Sequence, residues 1–370
     1  MMEFTAIREN FVTAAQNVLR AVPTKPPRPE LGGILLTAKA GTINLSGTDT
    51  ELAIKCHFDA DISVEGEALL PGRYLVDVLR RLPPGPISIR LEPSSQHIFI
   101  TSGASNFELL TWPANEFPPL ERNDKTLIAT LPELTLRTGV NQVAFAAAKD
   151  GLRQLLNSVL ISLGQGKMRL VATDGHRLAL TETMELGEDV TGEYLVPVRS
   201  LEEVARLISG DEEVQVLVSE NQIAFETSNV LVISRLVEGK YLPYESVIPT
   251  EFSWQATVRR NDFLAALERA ELFSADKINA VNLNLTPEGI EVFAQSPDIG
   301  RVQELVAAET SGGELDISFN VNYLIEPLKI LAAETVQLEF TGRESAALLS
   351  PLGSKDYQYL VMPITTRTTG

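Results

Sequence analysis

The stretch Val171-Ala172-Thr173-Asp174-Gly175-His176-Arg177-Leu178-Ala179-Leu180 sets an aspartate, a histidine and an arginine between two apolar runs. Two readings compete. Asp174 and His176, two positions apart around a glycine, are groups that general acid–base chemistry uses. The same letters also make a reverse turn joining two strands. The rest of the chain has to decide between them.

The stretch has counterparts within its own chain. GTINLSGTDTELAI starts at Gly41, GKMRLVATDGHRLAL at Gly166 and EGIEVFAQSPDIGRV at Glu288, each reading as a strand, a turn-rich break and a second strand. A helical pattern recurs at the same interval: PGRYLVDVLRRL from Pro71, PVRSLEEVARLI from Pro197 and NVNYLIEPLKIL from Asn320 all place apolar residues at three- and four-residue steps. Another helix precedes each strand pair, from Ile7, Gly139 and Arg259, and alternating strand sequence such as ISIRLE, VQVLVSENQIAFET and VQLEF follows each second helix. The chain therefore reads as three βαβ-rich repeats of about 120 residues, an ordinary domain size. Pro327 falls inside the last helix, where proline removes a hydrogen bond, and predicts a kink or an early stop.

Composition narrows the class. A chain of 370 residues, 44% of them apolar, can build two or three real cores. The opening MMEFTAIREN lacks the basic and apolar runs of a secretory signal, and no later segment supplies the roughly 18 unbroken apolar residues of a membrane span, so a cytoplasmic protein is expected. The single cysteine, Cys56, reads as a half-buried strand residue, and with three histidines no Cys/His metal cluster is visible; no cofactor is expected.

A net charge of −18 argues against nucleic acid only if charge is evenly spread. It is not. The first helical region carries Arg8, Arg20, Lys25 and Arg28 against Glu9; Pro71–Arg81 carries Arg73, Arg80 and Arg81 against Asp77; and Arg137, Lys149 and Arg153 face Asp150 alone. The bias fades through the third repeat. Solvated helix faces explain such an excess, and so does a helical surface that meets phosphates on an otherwise acidic protein.

The three divergent repeats, TDGHRL in the second, the opening EFTAIRENF, the turn SGTDTEL, the helix start FNVNYL and the terminal YLVMPI together resemble the bacterial DNA polymerase III beta subunit, the sliding clamp, over essentially the whole chain. The resemblance implies an α+β fold of three repeated DNA-clamp domains, 1–124, 125–250 and 251–370. It further implies a head-to-tail homodimer closed into a six-domain ring, helices lining the pore and sheets outside, with duplex DNA passing through. TDGHRL is then a bend and a groove wall, not a catalytic site. No nucleophile or phosphate loop elsewhere completes an enzyme.

By the same resemblance, a groove for short apolar peptides is made by Leu156, Thr173, Gly175, His176, Arg177, Leu178, Val247, Leu360, Met362, Pro363 and Ile364. Its implied partners are the DNA polymerase III catalytic subunit, the clamp loader, and other polymerases and repair proteins. Lys25, Arg73, Arg80, Lys149, Arg199 and Arg206 would line the DNA, and Phe107 would meet Leu272 and Phe273 across the dimer interface. Tyr241-Leu242-Pro243-Tyr244 and Met362-Pro363-Ile364-Thr365 depart from the family's usual Phe-Pro-Asp-Tyr and Met-Pro-Met-Arg types, which touches the groove's rim. On the residues alone two rivals remain: a hydrolase using Asp174 and His176, and a three-repeat scaffold that binds proteins without encircling DNA.

Overall fold

The computed structural model of the chain describes residues 1–92, 96–120, 125–149, 153–185, 190–274 and 279–364. Asp150, Thr365 and Lys277 lie outside them. Among the described residues there are six α-helices: α1 Arg8–Leu19, α2 Gly72–Arg81, α3 Glu133–Ala144, α4 Val198–Leu207, α5 Arg260–Glu271 and α6 Val321–Ile330. Each starts directly where a strand stops, as Met2–Ile7 runs into α1 and Leu315–Asn320 into α6.

The strands form sheets of five, eight, nine and four members, and every pairing among the described residues is antiparallel. The expected βαβ units are therefore not parallel crossovers. In the first repeat α1 leads from Met2–Ile7 in the five-stranded sheet to Gly33–Lys39 in the eight-stranded one, and α2 leads back from Gly66–Pro71 to Pro86–Leu91. In the third repeat, α5 and α6 do the same between the nine- and four-stranded sheets. A helix that changes sheet can return its chain antiparallel, because the same-sheet crossover rule does not apply.

The apolar stripe of each first helix explains its packing. Phe11, Ala14, Ala15 and Val18 of α1 and Phe263, Ala266, Leu267 and Ala270 of α5 are buried, and the alanines let α2 and α6 approach closely. Three repeats of sequence nonetheless pack as two compact units, Met1–Arg137 with Glu202–Leu236 and Thr138–Leu201 with Val237–Gly370. The sheets are the reason. Within the first unit Leu52–Asp59 of repeat one pairs with Val230–Arg235 of repeat two, and within the second Arg177–Glu185 of repeat two pairs with Tyr357–Val361 of repeat three. These ladders cover edges that would otherwise be exposed.

Three sequence expectations change in detail. The helix expected from Gly139 starts at Glu133 and ends at Ala144, since the buried stripe Leu136, Val140, Val143 extends upstream. α6 does not stop early: it runs through Pro327 to Ile330. Cys56 is buried rather than half-buried, and burial pushes its thiol up to about 12.

Candidate functional site

The Thr173–Arg177 turn is held by its own side chains. Thr173 Oγ1 donates to the Arg177 carbonyl at 2.5 Å and accepts the Gly175 N–H at 3.0 Å, while Asp174 Oδ1 accepts the N–H groups of His176 and Arg177 at 2.8 and 3.1 Å. Gly175 takes φ +92°, where a Cβ is disfavoured. The SGTDTEL turn copies it bond for bond. Thr48 Oγ1 donates to Leu52 O and accepts from Thr50 N–H, and Asp49 Oδ1 accepts from Glu51 and Leu52, with Thr50 at φ +82°. Asp174 is thus a turn-forming acceptor, and its second oxygen takes the Arg177 Nε at 3.0 Å. That occupation leaves no acid–base pair with His176.

Arg177 is the buried centre of the second unit's polar network. It is 6% exposed; besides Asp174 it pairs with Glu326 of α6, donates to the Phe145 carbonyl at 2.8 Å, and lies over the Tyr323 and Phe145 rings at 4.3 and 5.4 Å. Burial disfavours its charge, and the Tyr359 oxygen with the Glu326 and Asp174 carboxylates outweighs that, so the guanidinium stays protonated. Its donors therefore point inward to structural partners.

Beside the turn lies a cleft of about 160 Å³ lined by Thr173, Gly175, His176, Arg177, Leu178, Leu242, Val247, Ala346, Leu360 and Met362. Its walls are joined by the Met362 N–H donating to the His176 carbonyl at 2.8 Å, and by Leu178 opposite Leu360 in the ladder. Beneath it Leu178, Leu348, Leu360, Tyr241 and Tyr244 form one buried apolar cluster. Val247 and Met362 remain half exposed at the rim, at 50% and 45%. Pro363 and Ile364 do not line the cleft: the Ile364 N–H donates to Ser318 O and carries the chain away. Nor does Leu156, whose N–H closes a turn on Arg153 O; its neighbour Leu155 packs on the cluster instead. Sequence reasoning missed Leu242 and Ala346. Leu242 sits in the altered Tyr241–Tyr244 stretch, and Ala346 carries no signal beyond standing just before the strand Ala347–Pro351.

Arg73 and Arg80 on α2, and Arg199 and Arg206 on α4, are exposed and seven residues apart, which puts each pair on one helix face. The equivalent positions on α6 are Asn322 and Lys329, and Lys329 pairs with Glu268. Lys25 and Lys149 are exposed as well, and among the described residues none of Lys25, Arg73, Arg80, Lys149 and Arg206 has an ion pair. The rest of the basic excess serves the fold. Arg8 donates to the Leu79 and Arg80 carbonyls at the end of α2, Arg137 to Ser209 O beyond α4, and Arg260 to Leu328 and Ala333 O at the end of α6. Helix ends leave carbonyls without partners, and Arg8 and Arg260, the first residues of α1 and α5, supply donors to those of α2 and α6. Arg20 pairs with Glu203, Arg28 with Glu30 and Arg81 with Asp77.

Phe107 is half-buried on Ser105–Leu110, an edge strand of the five-stranded sheet. Leu272 is 66% exposed just after α5, and half-buried Phe273 lies beside Gly300, which opens the edge strand Gly300–Val306 of the four-stranded sheet. Among the described residues no group of His, Cys, Asp and Glu could hold a metal ion, and no helix is long and apolar enough to cross a membrane.

Family models match the chain in three consecutive pieces: the DNA polymerase III beta subunit N-terminal domain over residues 2–121, its central domain over 130–243 and its C-terminal domain over 245–365. The chain is 33% identical to the beta sliding clamp of Synechococcus elongatus, covering 99% of this chain and 100% of that one, and 30% identical to that of Bacillus subtilis with the same coverage. Its structure resembles the crystal structure of the Bacillus subtilis DNA polymerase sliding clamp with a TM-score of 0.95 at 29% identity, covering 99% of each chain. It also resembles the Pseudomonas aeruginosa sliding clamp bound to griselimycin, at 0.93 and 31%, covering 99% of this chain and 100% of that one. Sequence, repeat structure and fold agree: the chain belongs to the DNA polymerase III beta subunit family, the beta sliding clamps.

Proposed function

We propose that two copies of this chain close head to tail into a six-domain ring around duplex DNA and hold a replicative polymerase to it, with no reaction of their own. Residues 1–124, 125–250 and 251–370 act as the three clamp domains, helices line the pore and sheets form the outside. The observation that carries this reading is the pair of exposed arginines at matching places on α2 and α4, in a family of sliding clamps and on a chain of net charge −18. Cations on a helix face meet phosphates without reading sequence, so the ring slides. Two edge strands that each carry an exposed leucine, Leu110 and Leu305, support closure by strand pairing between copies.

The cleft at His176 is the docking site for a short apolar peptide. The DNA polymerase III catalytic subunit, the clamp loader, and other polymerases and repair proteins are its partners, and the protein works in the cytoplasm. The apolar floor under a half-exposed rim supports that role. A topological test decides between a clamp and a scaffold. Loaded by a clamp loader onto a nicked circular plasmid, the protein should stay with the DNA through gel filtration and be released when the plasmid is linearised. Equal retention on both forms, or on neither, would overturn the ring.

A further inference from the structure

Val247 lines the His176 cleft, and its neighbour Ile248 lines a second, larger one of about 620 Å³. With Ile248, the walls of this second cleft include Phe252, Gln255, Gln337, Glu339 and Lys355. Strand pairing ties the two clefts together. Gln255 of Trp254–Arg259, Glu339 of Thr335–Phe340 and Leu348 of Ala347–Pro351 stand in one ladder row, and the next member of that row is Leu360, which lines the His176 cleft. Leu348 and Leu360 also belong to the same buried apolar cluster. Neighbouring strands are about 4.8 Å apart, so Glu339 stands about 10 Å from Leu360 across the sheet.

The polar groups at Glu339 are turned so that the cleft is offered acceptors. Gln255 Nε2 and Gln337 Nε2 both donate to Oε1 of Glu339, at 3.2 and 3.3 Å. That leaves Oε2 of Glu339 and the amide oxygens of both glutamines, none of which takes a hydrogen bond among the described residues. Glu339 is half-buried and has no ion pair among the described residues. Burial pushes its carboxyl pKa up, and the charge of the exposed Lys355 offsets this only in part, so the carboxylate is short of a cation.

We infer that this second cleft takes an arginine side chain of the partner peptide docked at His176, which makes Glu339 a specificity-determining residue for basic flanks of that peptide. A guanidinium carries five donors and no acceptor, so it matches this acceptor-rich wall. Oε2 of Glu339 meets its charge, the two amide oxygens take further N–H groups, and Phe252 with Ile248 gives its plane an apolar support. An extended chain advances about 3.3 Å per residue, so the arginine stands at least about three positions from the side chain seated against Leu360. A protein of net charge −18 favours basic segments at long range, and the cleft gives one of their cations a defined place to land. The inference rests on the proposed peptide role of the His176 cleft, which supplies the partner.

The test uses the full chain and two labelled peptides read by fluorescence anisotropy. The plain peptide carries a leucine and a phenylalanine between two serine–glycine tails; the second has an arginine in each tail, roughly three to five positions from the apolar pair. Arginine should tighten binding to the wild type by about tenfold, the gain expected of one charge-assisted contact. Glu339→Gln keeps the shape of the side chain without its charge; it should abolish that gain and hold the plain peptide as the wild type does. Lys355→Gln removes a competing cation and should enlarge the gain. An equal gain in the wild type and Glu339→Gln would make arginine a mere counter-charge to an acidic protein and overturn the inference, as would no gain in the wild type or a smaller one in Lys355→Gln. The plain peptide reads the proposed function separately: bound as well by His176→Ala as by the wild type, it would strike that reading, while an arginine gain lost in Glu339→Gln would still place the arginine at Glu339.

Discussion

The hydroxyl of Tyr359 donates to the main-chain carbonyl of Tyr323 at 2.7 Å. In an unbroken helix that carbonyl would accept the N–H of the residue four positions on, and that residue is Pro327, which has none. Tyr359, fully buried on Tyr357–Val361, supplies the missing donor, and this is why α6 tolerates its proline. The same tyrosine stacks near Phe145 and borders Arg177, so the repair of α6 belongs to the network behind the cleft.

Tyr359→Phe should therefore leave a half-buried carbonyl without its partner and cost about 1 kcal/mol of stability. Pro327→Ala restores an N–H that can bond Tyr323 within the helix. In that background the Tyr359→Phe loss should shrink by about 1 kcal/mol, a coupling that a double-mutant cycle from urea unfolding can read. Strict additivity of the two changes would refute the account.

The repeats and most helix and strand positions were legible because periods of two and 3.6 are local properties, and so was the Thr-Asp turn, whose bonds span at most four residues. What sequence did not reveal was the use of each charge. Arg8 and Arg260 reach carbonyls 68 to 73 positions away, and only the packing of α1 on α2 and of α5 on α6 brings them there. Along the chain they are indistinguishable from phosphate-binding cations. Leu155 and Leu156 show a finer limit: inside a turn no period says which of two adjacent leucines faces the apolar cluster. The cleft residue Ala346 became visible only when the sheet of repeat three was joined to that of repeat two.

The dimer reading predicts that Leu272→Ala with Phe273→Ala removes apolar burial worth roughly 1.5–3 kcal/mol for each side chain fully enclosed between copies. Leu272 is 66% exposed in the single chain, so its loss should leave the protomer folded. Sedimentation should find monomers at nanomolar concentration, with an unchanged circular dichroism spectrum. A variant still dimeric there would place the interface elsewhere.

The cationic faces predict a salt effect. Replacing Arg73, Lys149 and Arg199 by Glu should lower the slope of log affinity against log salt by about one for each phosphate that is no longer neutralised. Dimerisation should persist. Arg8→Gln makes the contrast: it should destabilise the fold by removing donors from the end of α2 and leave the slope as it was. An unchanged slope in the triple variant would assign those three charges to the solvated surface.

The cleft at His176 makes the last prediction. A peptide burying one leucine and one phenylalanine there gains about 3–6 kcal/mol from apolar burial, while its immobilisation costs several. With a few hydrogen bonds added, micromolar affinity, near −8 kcal/mol, is the ceiling, which suits partners that must exchange. His176→Ala removes an exposed wall whose carbonyl stays bonded to Met362, so it should abolish peptide binding and keep the fold. Deleting 362–370, of which 365–370 lie outside the described residues, removes the opposite wall and should do the same. Arg177→Met should behave differently. It leaves Glu326 and Asp174 without their shared cation, and breaking a buried pair from one side costs about 3–5 kcal/mol, an upper figure here because the Glu326 side chain is 35% exposed. Stability should fall first, with peptide affinity following as the turn loosens. Calorimetry on the three variants, set beside their thermal unfolding, separates the two effects: full peptide affinity in His176→Ala, or an Arg177→Met protein as stable as the wild type, would refute this assignment of roles.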